Sequence, residues 1–201
     1  MKNLDFEEIR DKQRILVIGN EGTEEIIKIT SHILKTINKP YDVIFSNGES
    51  QLTDAPVVLI QGNDKINSGS EADFLKYKHH IVLIHHIIDS NLPEDYASLE
   101  EYVAEYETLA KRTPKGGSLI YNKEDDIVTV IGSQDYEDVI LKEYTSLNIE
   151  KVDEGFKLSN GKVVGTDNEN FPSHSGAANA LLERLRVTEE EFTEGLSSYK
   201  E

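Results

Sequence analysis

Arg14-Ile15-Leu16-Val17-Ile18-Gly19-Asn20-Glu21-Gly22-Thr23-Glu24-Glu25 is the stretch that decides the fold. A short aliphatic run that ends at a glycine reads as a strand buried on both faces, as in a parallel sheet. Behind it, apolar residues recur at 26, 27, 29, 33, 34 and 37, which is helical spacing, and Asn38-Lys39-Pro40 stops the helix. Strand, glycine turn and helix form the opening of a βαβ unit. Further strands are expected at 41–45, 57–60, 81–84, 118–121 and 127–131, with a helix at 99–111. Alternation of this kind predicts an α/β fold with a mainly parallel sheet and right-handed crossovers. From about Leu147 the pattern changes. Phe156-Lys157-Leu158, Ser159-Asn160-Gly161 and Lys162-Val163-Val164 read as a hairpin with an Asn-Gly turn. Two closing helices are expected at 177–185 and 188–198, the second opened by a capping box of Thr188 and Glu191.

Composition narrows the chemistry. The chain has 201 residues, enough for a sizeable core, and no repeat or linker, so a single domain over 1–201 is expected. It has no cysteine, which removes disulfides, thiolate zinc sites and cysteine nucleophiles. The net charge of −17 opposes a nucleic-acid or anionic-membrane footprint. No apolar run reaches the ~18 residues of a bilayer span, and Met1-Lys2-Asn3-Leu4-Asp5-Phe6-Glu7-Glu8 has no apolar signal region. A cytoplasmic protein is expected.

The loop after the first strand has the glycines and the helix start that cradle a phosphate, but no lysine. Glu21, Glu24 and Glu25 would repel a polyphosphate, although acids in a first helical turn also stabilise the helix dipole. His79-His80 and His85-His86 flank one short strand. His80 and His86 lie ~20 Å apart at the strand rise and cannot share an ion. His85 or His86 can instead line the crevice at the carboxyl ends of the strands. The pairs Asp125-Asp126 and Glu100-Glu101 read as solvated faces.

Several stretches in order resemble the central ATP-binding domain of the Mur ligases, which join amino acids or peptides to UDP-N-acetylmuramate. Within that family, the resemblance is to the branch that recycles murein peptides. Residues 14–23 fall on the family's strand and phosphate loop. Residues 54–64 resemble the strand that ends in a magnesium-binding glutamate, and 80–90 the strand leading to Asp-His. The most specific match is 102–126, with Thr113-Pro114-Lys115-Gly116-Gly117 and Tyr121-Asn122-Lys123-Glu124-Asp125-Asp126. Ser173-His174-Ser175-Gly176-Ala177-Ala178-Asn179-Ala180 resembles the family's His-Asn-x-x-Asn-Ala helix start. The match spans roughly 10–200 and implies a three-layer, P-loop-type domain without the UDP-binding domain in front or the C-terminal domain behind.

By this resemblance Gly19, Asn20, Gly22, Thr23 and Glu24 occupy the phosphate loop, with Thr23 at the lysine position and Glu24 at the next hydroxyl position. Gln61 replaces the magnesium glutamate, and Asp89 or Ser90 stands at the metal-binding histidine. Asn122 matches the asparagine near the adenine ring, and His174 and Asn179 the second base-contacting element. Phosphoryl transfer rests on cation positioning and charge neutralisation, so these substitutions together should remove it. The expectation is therefore a degenerate domain with no catalytic residue and no metal ligand, in which ATP and Mg²⁺ bind weakly at most. Its partners would be a nucleotide, a peptidoglycan precursor, another protein or a second copy of itself, with Tyr41, Tyr77, Tyr96, Tyr102 and Tyr106 as interface candidates. Tyr102 and Tyr106, four apart on a helix, read better as packing onto the sheet. The alternative is an active ATP-dependent amide ligase acting on UDP-N-acetylmuramate peptides, completed by another chain.

Overall fold

The computed structural model describes residues 6–66 and 71–200; Met1 to Asp5, part of the N-terminal reading, lie outside them. Seven strands form one sheet: β1 (Gln13–Ile18), β2 (Asp42–Ile44), β3 (Ser50–Gln51), β4 (Val57–Gln61), β5 (Ile81–Ile84), β6 (Ser118–Asn122) and β7 (Ile140–Tyr144). Their order is β3-β2-β4-β1-β5-β6-β7, and every pairing is parallel except β2 with β3. From β1 the chain runs out to one side through α1 (Thr23–Thr36). It then returns past β1 to build the other side. That reversal leaves a crevice at the carboxyl ends of the central strands.

Alternation within the strands makes two cores. Ile15 and Val17 of β1, with Leu59, Leu83 and Ile120, pack under α1, α4 (Phe171–Arg184) and α5 (Glu189–Ser197). Leu16 and Ile18, with Val58, Ile60, Val82, Ile84 and Leu119, pack under α2 (Leu99–Lys111) and α3 (Asp126–Gly132). The result is the α/β arrangement that the alternating elements predicted, in the three layers that the resemblance implied. Beside it, β8 (Glu150–Val152), β9 (Gly155–Lys157) and β10 (Val163–Val164) form a small antiparallel sheet. Its β9–β10 pair is the expected hairpin. The capping box of Thr188 and Glu191 opens α5. Among the described residues, no helix is long and apolar enough to cross a membrane.

Four expectations are corrected. Ile127 to Ile131 is not a strand but the body of α3. Asp125 caps it, accepting from the Val128 amide at 2.9 Å, and the helical period buries Val128, Ile131 and Gly132 while leaving Val130 64% exposed. A cap and tertiary packing here override β-branched propensity. The strand next to β6 is instead β7, an edge strand with exposed Ile140 and Leu141. Helix α4 starts at Phe171 rather than 177, with Pro172 in its first turn where the missing N–H costs nothing. Tyr96 is a core residue and not an interface candidate, while Tyr102 and Tyr106 pack into the core as their helical spacing suggested. Tyr102 donates to Asp64 Oδ2 at 2.7 Å and lies 2.8 Å from the Tyr106 hydroxyl, and Tyr96 donates to the Asp64 carbonyl.

Candidate functional site

The β1–α1 loop sits at the crevice, and its conformation depends on two glycines. Gly22 has φ +72° and Gly19 φ +152°, both in the region that favours glycine. A Cβ on Gly19 would lie 2.9 Å from the His86 carbonyl oxygen. One on Gly22 would lie 2.4 Å from His174 Nε2 and 3.0 Å from His85 Cδ2. Two imidazoles, one from the end of β5 and one from the first turns of α4, therefore press on the loop where a phosphate cradle would be open. The His85 and His174 ring centroids are 5.3 Å apart, and both residues are buried.

The remaining loop positions are engaged by neighbouring side chains and backbone. Asn20 clamps the loop to the segment after β5: its Nδ2 donates to the Ile88 carbonyl at 2.8 Å and its Oδ1 accepts from the Ile88 amide at 2.9 Å. Thr23, first residue of α1, is buried, and its hydroxyl accepts from Gln61 Nε2 at 3.0 Å. Gln61 Oε1 in turn accepts from the Ser46 amide and hydroxyl, each at 3.1 Å. A neutral amide thus bridges Thr23 to the end of β2, at the positions where the resemblance placed a lysine and a magnesium carboxylate. Glu24 pairs with Lys28 on the outer face of α1, and Glu21 accepts from Asn170 at 2.9 Å.

Asn122, which the resemblance places near an adenine ring, is fully buried at the end of β6. Its Oδ1 accepts from the Glu124 amide at 3.0 Å, and its Nδ2 lies 3.2 Å from His86 Nε2. His86 Nδ1 lies 3.1 Å from Asp125 Oδ2, a carboxylate that can only accept. The ring therefore donates through Nδ1 and faces the Asn122 amide through Nε2. Asp125 is not on a solvated face as expected from its neighbours. Burial pushes its carboxyl up, but the bonds from His86 and from the Val128 and Ile87 amides outweigh that and hold it below its ordinary value. His85 Nδ1 lies 2.5 Å from the Tyr144 hydroxyl, and burial keeps both neutral, lowering the imidazole and raising the phenol. His85 Nε2 has no hydrogen-bond partner among the described residues.

Gly19, Asn20, Gly22, Thr23, Gln61, Asn122 and His174 are thus brought to one end of the sheet, and Asn179 is not. Asn179 faces a 320 Å³ cavity between α4, α5 and the small sheet, and donates to Glu183 at 3.2 Å. Asp89 and Ser90 lie exposed in a short 3-10 turn. Tyr144 and Asp125 were missed as site residues. Tyr144 belongs to the strand the sequence did not reveal, and Asp125 carried only the signal of an Asx cap before an apolar run. Among the described residues, no group of three or more His, Asp or Glu is placed to hold a metal ion.

No protein-family model matches the sequence, and no curated protein is similar to it. Solved structures do match. UDP-N-acetylmuramate:L-alanyl-γ-D-glutamyl-meso-diaminopimelate ligase from Neisseria meningitides superposes with a TM-score of 0.80 at 12% identity, over 100% of this chain and 68% of that one. MurF from Acinetobacter baumannii gives 0.73 at 14% identity, over 98% of this chain and 48% of that one. Folylpolyglutamate synthase of Mycobacterium tuberculosis, complexed with ADP, gives 0.73 at 9% identity, over 97% and 59%. The fold is that of the Mur ligase central domain. The chain spans about two thirds of the first relative and about half of MurF.

Proposed function

We propose that this chain is a Mur-ligase-type domain without ligase chemistry, acting as a binding or interaction module connected with peptidoglycan precursors. One observation carries the reading: the loop that would wrap a phosphate is packed from inside by His85 and His174. A phosphate-binding loop works by presenting backbone N–H groups to an anion in open space. Here the Cα of Gly22 faces an imidazole edge instead. The Gln61 bridge adds to this, because an amide already committed to Thr23 and Ser46 is a poor ligand for a hard cation. Asn122 points the same way, since its amide oxygen and nitrogen are both engaged within the chain. The peptidoglycan connection rests on the names of the neighbours that share the fold.

Isothermal calorimetry with ATP, ADP and adenosine, with and without Mg²⁺, tests the reading. The expected result is no magnesium-dependent heat and an ATP affinity no better than that of adenosine. ATP bound tenfold or more tighter than adenosine, together with magnesium-dependent phosphate release that Asn122→Ala abolishes, would overturn it.

A further inference from the structure

At the opposite end of the sheet from His85 and His174, a 540 Å³ cavity opens between the last turn of α4, the end of α1 and the starts of β1 and β4. That volume lies in the range of small-molecule sites. Leu34, Pro40 and Val57 give it an apolar floor, and Lys39, Arg184 and Arg186 stand around it. Lys39 has the Glu191 carboxylate 3.9 Å away, whereas the two arginines are unusual in this chain. With 38 acids to 21 bases, most of its cations near the surface find a carboxylate. Arg10 and Arg112 are ion-paired, and Arg14 is caged by backbone carbonyls. Among the described residues, Arg184 and Arg186 have no carboxylate within ion-pair distance. Glu183, the acid in the same wall, is taken by Lys142.

Two further observations point to a ligand. Arg184 Nε is buried and has no hydrogen-bond partner among the described residues, which is rare for a buried donor. Arg186 follows the C-cap of α4 with φ +59°, the left-handed position that helices ordinarily give to glycine or asparagine. Placing a long cationic side chain there carries a backbone cost that the helix end does not require. The Arg186 carbonyl is meanwhile held by Lys39 Nζ at 3.0 Å, which fixes the lysine beside the two arginines.

We infer that this cavity is an anion site, built for a small organic molecule carrying a carboxylate or a phosphate. Arg184 and Arg186 clamp the charged group, and Leu34, Pro40 and Val57 accept an apolar body. Guanidinium groups bind both oxyanions through paired N–H donors, so the two ligand classes share one chemistry. The site is independent of the β1–α1 loop and does not rest on the loop's being closed.

The test uses the ¹⁵N-labelled 201-residue chain titrated with inorganic phosphate in one arm and citrate in the other, at constant ionic strength. The amides of Gln13, Lys39 and residues 184–187 should shift and saturate with at least one of the two anions, and the tighter arm names the class. Arg184→Gln should weaken binding tenfold or more. Arg186→Gly should do the same while leaving the melting temperature equal or higher, because glycine suits the backbone there. Shifts that stay linear to high concentration in both arms, or that persist unchanged in the Arg184→Gln/Arg186→Gly double variant, would overturn the assignment.

Discussion

Replacing Gly22 by alanine addresses the packed loop directly. The new Cβ would sit 2.4 Å from His174 Nε2, 2.9 Å from its Cδ2 and 3.0 Å from His85 Cδ2, all inside contact distance. Neither ring has an easy retreat, since both are buried against each other and His85 is tied to Tyr144. Overpacking of this kind costs about 1–3 kcal/mol. Holding alanine at φ +72° adds about 1–2 kcal/mol. The sum, about 2–5 kcal/mol, corresponds to a fall in melting temperature of about 4–20 °C for a chain of this size. Urea unfolding of the parent, Gly22→Ala, His174→Ala and the double variant separates the two contributions. Truncating His174 removes the two closest contacts but neither the His85 contact nor the backbone strain, so the double variant should be more stable than additivity predicts, by about 1–3 kcal/mol. A Gly22→Ala protein within about 0.5 kcal/mol of the parent, the ordinary range for surface changes, would refute the packed loop. So would strict additivity with His174→Ala.

Two other outcomes follow from buried polar groups away from the loop. His79 is buried against the Thr113 hydroxyl at 2.9 Å, and burial, then the charges of His80 and Arg14, lower its pKa to about 4. The unfolded chain takes up that proton near pH 6.5 and the folded chain does not. The stabilisation is therefore complete above about pH 6.5 and is lost as pH falls towards 4, amounting to about 3 kcal/mol at most. His85, also lowered by burial, acts with the same sign. Urea unfolding from pH 7.5 to 4.5 should show a slope that His79→Gln reduces by nearly one proton; an unchanged slope refutes the assignment. Tyr102→Phe should cost about 1–3 kcal/mol, because the Tyr106 hydroxyl and Asp64 lose a buried partner. A change below about 0.5 kcal/mol would show that water replaces the phenol.

The sheet was legible because strands buried on both faces must be aliphatic throughout, as 15–18, 57–60 and 81–84 are. Legibility failed where that constraint lapses. The edge strand Ile140-Leu141-Lys142-Glu143-Tyr144 is mostly exposed and mixed in polarity, so nothing forces a strand pattern on it. The β-branched run at 127–131 was read by composition, whereas Asp125 and the packing of Gly132 against the Tyr121 ring decide its conformation. Alanine at 132 would put a Cβ 2.1 Å from that ring, so the glycine permits the approach of α3 and does not break the helix.

The site divides in the same way. Gly19, Asn20, Thr23, Gln61 and Asn122 follow directly on parallel strands, so their meeting at one end of the sheet was implied by the chain order alone. What occupies the space between them was not, because His174 arrives from α4, some 150 residues beyond Gly22. A glycine loop without a lysine still has a concave backbone, and protein interiors do not keep voids of side-chain size. Something must fill it, and the filler has to tolerate a polar lining. Imidazole meets both demands, being flat enough to lie against a glycine Cα and, when neutral, free of the charge penalty that burial imposes. On the proposed reading the rings of His85 and His174 take the space a nucleotide would complete, which is the physical sense in which Thr23, Gln61 and the two histidines belong together.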